Sequence, residues 1–353
     1  GQVRGTAGRV AGTVAYKGIR YATAGRWEYP TQVTHWDGIY DAVDYGACSY
    51  QPRAFYNEEE NLKKVFYYNE FRKGETYTYS EDCLFLNVFT PEDARPGDKL
   101  PVLIYIHGGG FTGGCGHEKH FDGPVWPTKG IIGVTLNYRL GPMGFVCLPQ
   151  LKEEAGFTGN YGLYDQMTAI KWVKDNIAAF GGDPENITIM GQSAGAMSVQ
   201  LQCQSPLTDG LFQKAVMSSG CGMGTMLAST TEKSCNFWKE VMSRVHEGLE
   251  NKPFNKPDDI VMVNICCESG KLPIPGLCDH TTIAEYFEKG TEPTETCNVH
   301  YAGMVCSYDG LIACDGCPFA GMGVATLIPV ENEALYAGSI PRDANGNIIL
   351  EAV

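Results

Sequence analysis

Continuous apolar runs recur along the chain at Val102–Ile106, Ile131–Leu136, Ile187–Met190, Ala215–Met217 and Leu327–Val330. Short unbroken runs of this kind suit strands covered on both faces, as in a parallel sheet. Between the second and third runs, Leu163, Met167, Ile170, Val173, Ile177 and Phe180 fall three and four residues apart. That spacing predicts one apolar helical face over 163–180. Gly181-Gly-Asp-Pro184 follows and should stop the helix, with glycine just past its end and proline shortly after. Residues 8–23 and 84–89 read as early strands, forming an antiparallel edge. Strand, crossover helix, strand is the grammar of a doubly wound, mostly parallel α/β sheet.

Elsewhere the pattern breaks down. Residues 49–80 are rich in charge and tyrosine and read as a long surface loop. Residues 222–300 carry helical fragments interrupted at Lys252-Pro253 and Lys256-Pro257. No repeat or linker stands out, so residues 1–353 are expected to form one domain.

Chemistry enters at the end of the third run. Gly191-Gln-Ser-Ala-Gly195 follows Ile187–Met190 directly, and Gly-x-Ser-x-Gly between a strand and a helix-capable stretch marks a nucleophile elbow. Ser193 is then the candidate nucleophile, and its flanking glycines keep the turn free of side-chain collisions. A serine hydroxyl also needs donors for the oxyanion it creates. His107-Gly-Gly-Gly-Phe111 follows the strand Val102–Ile106 and offers unshielded backbone amides. The predicted oxyanion hole combines the N–H groups of Gly109, Gly110 and Ala194.

Composition narrows the partners. The chain has 41 acidic and 27 basic residues, a formal charge of −14. This sign opposes nucleic acid and anionic membrane surfaces as partners. No apolar run is long enough to span a bilayer. Asn186-Ile-Thr is a glycosylation sequon, discounted because it adjoins a buried strand. Fourteen cysteines are present, several in strand-like or helix-like runs (Cys147, Cys203, Cys221), where a reduced cysteine acts as a small hydrophobe. Cys266-Cys267 is awkward for a disulfide framework, so a reducing, cytoplasmic location is expected, or a secreted one if a signal peptide has been removed. Cys314-x-x-Cys317 with Cys306 lacks a second pair at zinc-finger spacing and reads as loop cysteines. No cofactor or metal is expected.

Taken in order, these motifs resemble the type-B carboxylesterase/cholinesterase family. Phe180–Gly195 is similar to its serine signature, and Glu81-Asp-Cys-Leu-Phe-Leu-Asn-Val88 to its second signature. Gly18-Ile-Arg-Tyr-Ala22, Asn137-Tyr-Arg-Leu-Gly141, Gly159-Asn-Tyr-Gly-Leu-Tyr-Asp-Gln166 and Ser218-Ser-Gly220 match in sequence, with a weaker return near Tyr308-Asp-Gly310. The resemblance implies an α/β-hydrolase fold and hydrolysis of small to medium carboxylic esters through an acyl-serine. It implies Glu333 as the triad acid, with Glu331 the neighbour that a shifted alignment selects. Cys48 and Cys83 bracket the 49–80 loop as the family's first disulfide does, and a bond there requires an oxidising compartment.

Two departures matter. The triad order in this fold is serine, acid, histidine, yet the last histidine, His300, precedes Glu333. The base is therefore expected on a further segment or separate chain, with His107 structural and His117, His120, His246, His280 and His300 weak substitutes. The 49–80 loop lacks the family's tryptophan pattern for quaternary ammonium groups, though Phe55, Tyr56, Phe66, Tyr67, Tyr68, Phe71, Tyr77 and Tyr79 could line a gorge. Gln192 stands where many relatives carry Glu. A non-catalytic binding or adhesion protein on the same scaffold is the alternative from another class, and a lipase or amidase shares the chemistry.

Overall fold

The computed structural model describes residues 1–54, 59, 68–119, 123 and 125–220, with residues 228–229, 236, 264–266, 299–301 and 328–329 as short pieces. Its centre is a seven-stranded sheet of β1 (Thr6–Ala7), β2 (Thr13–Arg20), β3 (Phe85–Pro91), β4 (Leu100–Ile106), β5 (Ile132–Leu136), β6 (Gly182–Gln192) and β7 (Lys214–Ser218). Their spatial order is β7-β6-β4-β5-β3-β2-β1. β4, β5, β6 and β7 run parallel. β3, β2 and β1 continue antiparallel.

The expected edge is thus present. All five residues of β5 are buried, as a strand covered on both faces requires. Ile104, Ile106, Ile132, Val134, Leu136, Ile187 and Ile189 form the middle of the core; burying each such side chain contributes roughly 1.5–3 kcal/mol. Two runs depart from the expectation. β7 stands at the end of the described sheet, and its Val216 and Met217 are exposed. Ile328–Pro329 pairs with Ala228–Ser229 in a separate ladder and does not join the seven strands.

Helices α1 (Gly141–Phe145) and α2 (Pro149–Ala155) lead into α3 (Tyr161–Asn176), and α4 (Ala194–Gln204) follows β6. In α3 the residues Leu163, Ile170 and Val173 are buried, and Ile177 and Phe180 extend the same face through a 3₁₀ turn. Gly181 closes this turn at φ 91°, in the left-handed region predicted for the stop.

The family-like motifs meet inside the fold. Arg139 makes a bidentate pair with Asp165 at 2.7 and 2.8 Å, and the Arg139 backbone N–H also donates to that carboxylate. The Arg139 guanidinium donates further to the carbonyls of Gly25 and Glu28. Asn87 accepts from the Gly18 N–H and donates to Thr135. These residues join segments far apart in sequence, which accounts for their shared appearance as motifs.

Candidate active site

Ser193 sits between the last residue of β6 and the first of α4, with φ 55° and ψ −124°. A positive φ is strained for a residue carrying a Cβ, and it turns the side chain out of the sheet. Neighbouring contacts hold the conformation. The Ser193 N–H donates to the Ser218 carbonyl at 2.9 Å, and the Ser193 carbonyl accepts from Met197 at 3.0 Å to start the helix.

The glycines are required by close approach. A Cβ on Gly191 would lie 2.3 Å from the Gly195 carbonyl, and one on Gly195 would lie 2.1 Å from the Ile106 carbonyl oxygen. Gly195→Ala is therefore expected to push α4 from β4 and lower stability by about 1–3 kcal/mol. Urea unfolding of the variant beside the wild type checks this, and an unchanged midpoint contradicts it.

The glycine loop lies against this turn. A Cβ on Gly108 would meet the Gln192 carbonyl oxygen at 2.5 Å and the Ser193 Cβ at 3.2 Å. Gly109 has φ 108° and Gly110 φ 62°, and the Gly109 carbonyl accepts from both Thr112 and Gly113 at 3.0 Å. Among the described residues, the amides of Gly109, Gly110 and Ala194 have no acceptor. Gly109 is exposed, and Ser193 is half-buried. The structure therefore brings together Ser193, the glycine loop and the start of α4.

Buried polar groups fix this corner. Ser198 Oγ donates to the Ala194 carbonyl at 2.9 Å, Gln166 donates to Ser198, and Gln202 donates to the Leu163 carbonyl. The chain from α3 to α4 thereby locks the helix that carries Ala194. Sequence reading missed this set, because glutamine and serine on an amphipathic helix signal nothing by themselves.

His107 is buried and stacked on Tyr138, with ring centroids 4.5 Å apart. Its Nδ1 lies 2.8 Å from the Gly108 carbonyl oxygen, and Tyr138 donates to the His107 carbonyl. Burial lowers the imidazole pKa and keeps the ring neutral, so it packs the loop as expected. His117 is buried beside Cys48. No described histidine side chain bonds Ser193. Glu333 and Glu331 lie outside the described residues, as do His120, His246 and His280; of His300 the backbone alone is described.

The implied Cys48–Cys83 disulfide is not formed: both are free thiols. Cys48 points towards Cys115 and His117, whereas Cys83 is placed near Ser49, Arg139 and Asp165. Successive side chains alternate across a strand, and Cys83 lies by the neighbour of Cys48 in the short strand Cys48–Ser49. The gorge reading changes too. Tyr79 accepts from Arg72, and Tyr77 stacks on His117, so both pack the loop; Phe55, Tyr56, Phe66 and Tyr67 lie outside the described residues.

A parallel sheet with an antiparallel edge, a bent serine between strand and helix, and a glycine loop packed against that turn define an α/β-hydrolase. The sequence profile of the Carboxylesterase family matches residues 1–250. The chain belongs to that family. It is similar to para-nitrobenzyl esterase of Bacillus subtilis (strain 168), with 43% identity covering 71% of this chain and 48% of that protein. It is also similar to bile salt-activated lipase of Mus musculus, with 38% identity over 65% of this chain and 35% of the lipase. Among solved structures, a PNB esterase superposes with a TM-score of 0.57 at 37% identity, covering 69% of this chain and 46% of the other. The chain thus spans about half the length, or less, of these relatives. A shorter match, to the Penicillin-binding protein 1A, C-terminal domain, covers residues 256–302.

Proposed function

We propose that the protein is a serine carboxylesterase acting on small to medium carboxylic esters. The observation that carries this reading is the approach of Gly108 to Gln192 and Ser193, which sets free amides beside an accessible serine. Ser193 Oγ attacks the ester carbonyl carbon and passes its proton to a histidine. The carbonyl oxygen, now negative, accepts from Gly109, Gly110 and Ala194. The carbon–oxygen bond to the alcohol then breaks, and the alcohol takes the proton from the imidazolium. Water repeats the sequence on the acyl-serine, releasing the carboxylic acid and restoring Ser193.

In this reading Glu333 orients the histidine and stabilises its charged form, and the histidine comes from outside the described residues, on a further segment or chain. Residues 1–353 belong to one hydrolase domain. A reducing, cytoplasmic location is part of this reading, on the sequence ground that adjacent Cys266-Cys267 is awkward for a disulfide framework. The presented serine and the unoccupied amides count against a purely adhesive protein.

A fluorophosphonate probe on the full natural protein is expected to label one peptide, at Ser193, and p-nitrophenyl acetate in excess is expected to protect it. Labelling at another nucleophile, with Ser193 unmodified, would overturn the assignment.

A further inference from the structure

The loop that supplies Gly109 and Gly110 continues into Cys115-Gly-His117, and there it meets Cys48. The donor atoms of Cys48, Cys115 and His117 all lie within 4.8 Å of one another, and all three residues are buried. Cys48 Sγ is 3.9 Å from His117 Nε2. Tetrahedral zinc, with bonds of about 2.3 Å to sulfur and about 2.0–2.1 Å to nitrogen, spaces its donors about 3.6 Å apart. Cys48 and His117 need to close by about 0.3 Å, and no pair in the cluster by more than about 1.2 Å.

The surroundings favour a metal over three idle side chains. His117 is clamped between Tyr45 and Tyr77, stacked at centroid distances of 4.5 and 5.1 Å, which fixes the ring plane before anything binds. Its Nδ1 and the Tyr77 hydroxyl are buried without a partner among the described residues. Thiols are weak hydrogen-bond donors and acceptors and give a buried imidazole little in return. Glu118 is not free to serve as a ligand, since it pairs with Arg53 at 2.5 Å and Arg72 at 2.9 Å. Two thiolates, a neutral imidazole and a dication sum to zero charge, as an interior site requires.

We propose that Cys48, Cys115 and His117 bind a zinc ion that staples the end of the glycine loop to the N-terminal segment. The two thiols release their protons to solvent as the metal binds. Water takes the fourth position, where the Tyr77 hydroxyl is its hydrogen-bond partner. The hold is placed where it constrains the site, because Gln51, three residues after Cys48, also exchanges two hydrogen bonds with Gly114 at 3.0 Å each. The staple and this pair together fix the loop downstream of Gly109 and Gly110.

The test is metal content, independent of esterase activity. The chain, purified from zinc-supplemented medium and freed of loose metal by gel filtration, is expected to carry one zinc per molecule by mass spectrometry of the element. Cys48→Ser, Cys115→Ser and His117→Gln should each lose most of it, while Cys83→Ser and Cys147→Ser keep it. Should the ligand variants misfold, cobalt substitution of the wild type decides: a thiolate-to-cobalt charge-transfer band is expected. Absence of bound zinc, zinc retained in all three ligand variants, a cobalt form without that band, or a Cys48–Cys115 disulfide in an unreduced peptide map would each overturn the proposal.

Discussion

Ser193→Ala in the full natural protein is expected to lower p-nitrophenyl acetate turnover by a factor on the order of 10⁴–10⁶, while leaving the unfolding midpoint nearly unchanged. The size follows from the interdependence of nucleophile and base: once the attacking oxygen is gone, the remaining members have nothing to activate. In the proposed mechanism the stabilisation offered by the Gly109, Gly110 and Ala194 amides survives, which is why the residual rate should still exceed that in water. Folding is spared because the substitution removes one half-buried oxygen and preserves the backbone bonds to Ser218 and Met197. Steady-state kinetics with active-site titration checks the prediction. A loss smaller than tenfold would mean that another group attacks the ester.

The largest stability effect is expected at Arg139. Its side chain is 4% exposed and Asp165 is 0% exposed. Arg139→Met should destabilise the fold by about 3–5 kcal/mol, because it leaves a buried carboxylate without its counter-charge. It also strips donors from the Gly25 and Glu28 carbonyls. The double variant Arg139→Met with Asp165→Leu should recover part of the loss, since no ion then remains to be buried. Urea unfolding of the singles and the double closes the cycle; additive effects would show that the pair does not couple.

The sheet was legible in the sequence because its inner strands are covered on both faces, wholly in β5 and in large part in β4 and β6, and leave continuous apolar runs. β5 and β6 are therefore read correctly, whereas β7 has the same composition but lies at the end of the described sheet, a fact that depends on tertiary neighbours. That the Ser193 turn and the glycine loop come together was legible for another reason. Backbone approaches as close as those at Gly191 and Gly195 tolerate no side chain, so the steric demand is written as glycine. The Arg139–Asp165 pair sits within recognisable motifs, but nothing in either motif announces the partner. The Cys48, Cys115 and His117 cluster was hidden more deeply. Cys48 suggested a disulfide with Cys83, and His117 a substitute base, because chain order does not show which way a strand residue faces.

The Gly109 carbonyl accepts two N–H groups, and this has a bearing on how the protein could diversify. With that oxygen engaged inward, the adjoining amide directions are set by the loop itself and do not wait for an incoming acyl group. In the proposed esterase, selectivity among esters then falls to the surrounding walls, which can be remodelled residue by residue. A lineage built on this scaffold can change its diet without retooling its chemistry.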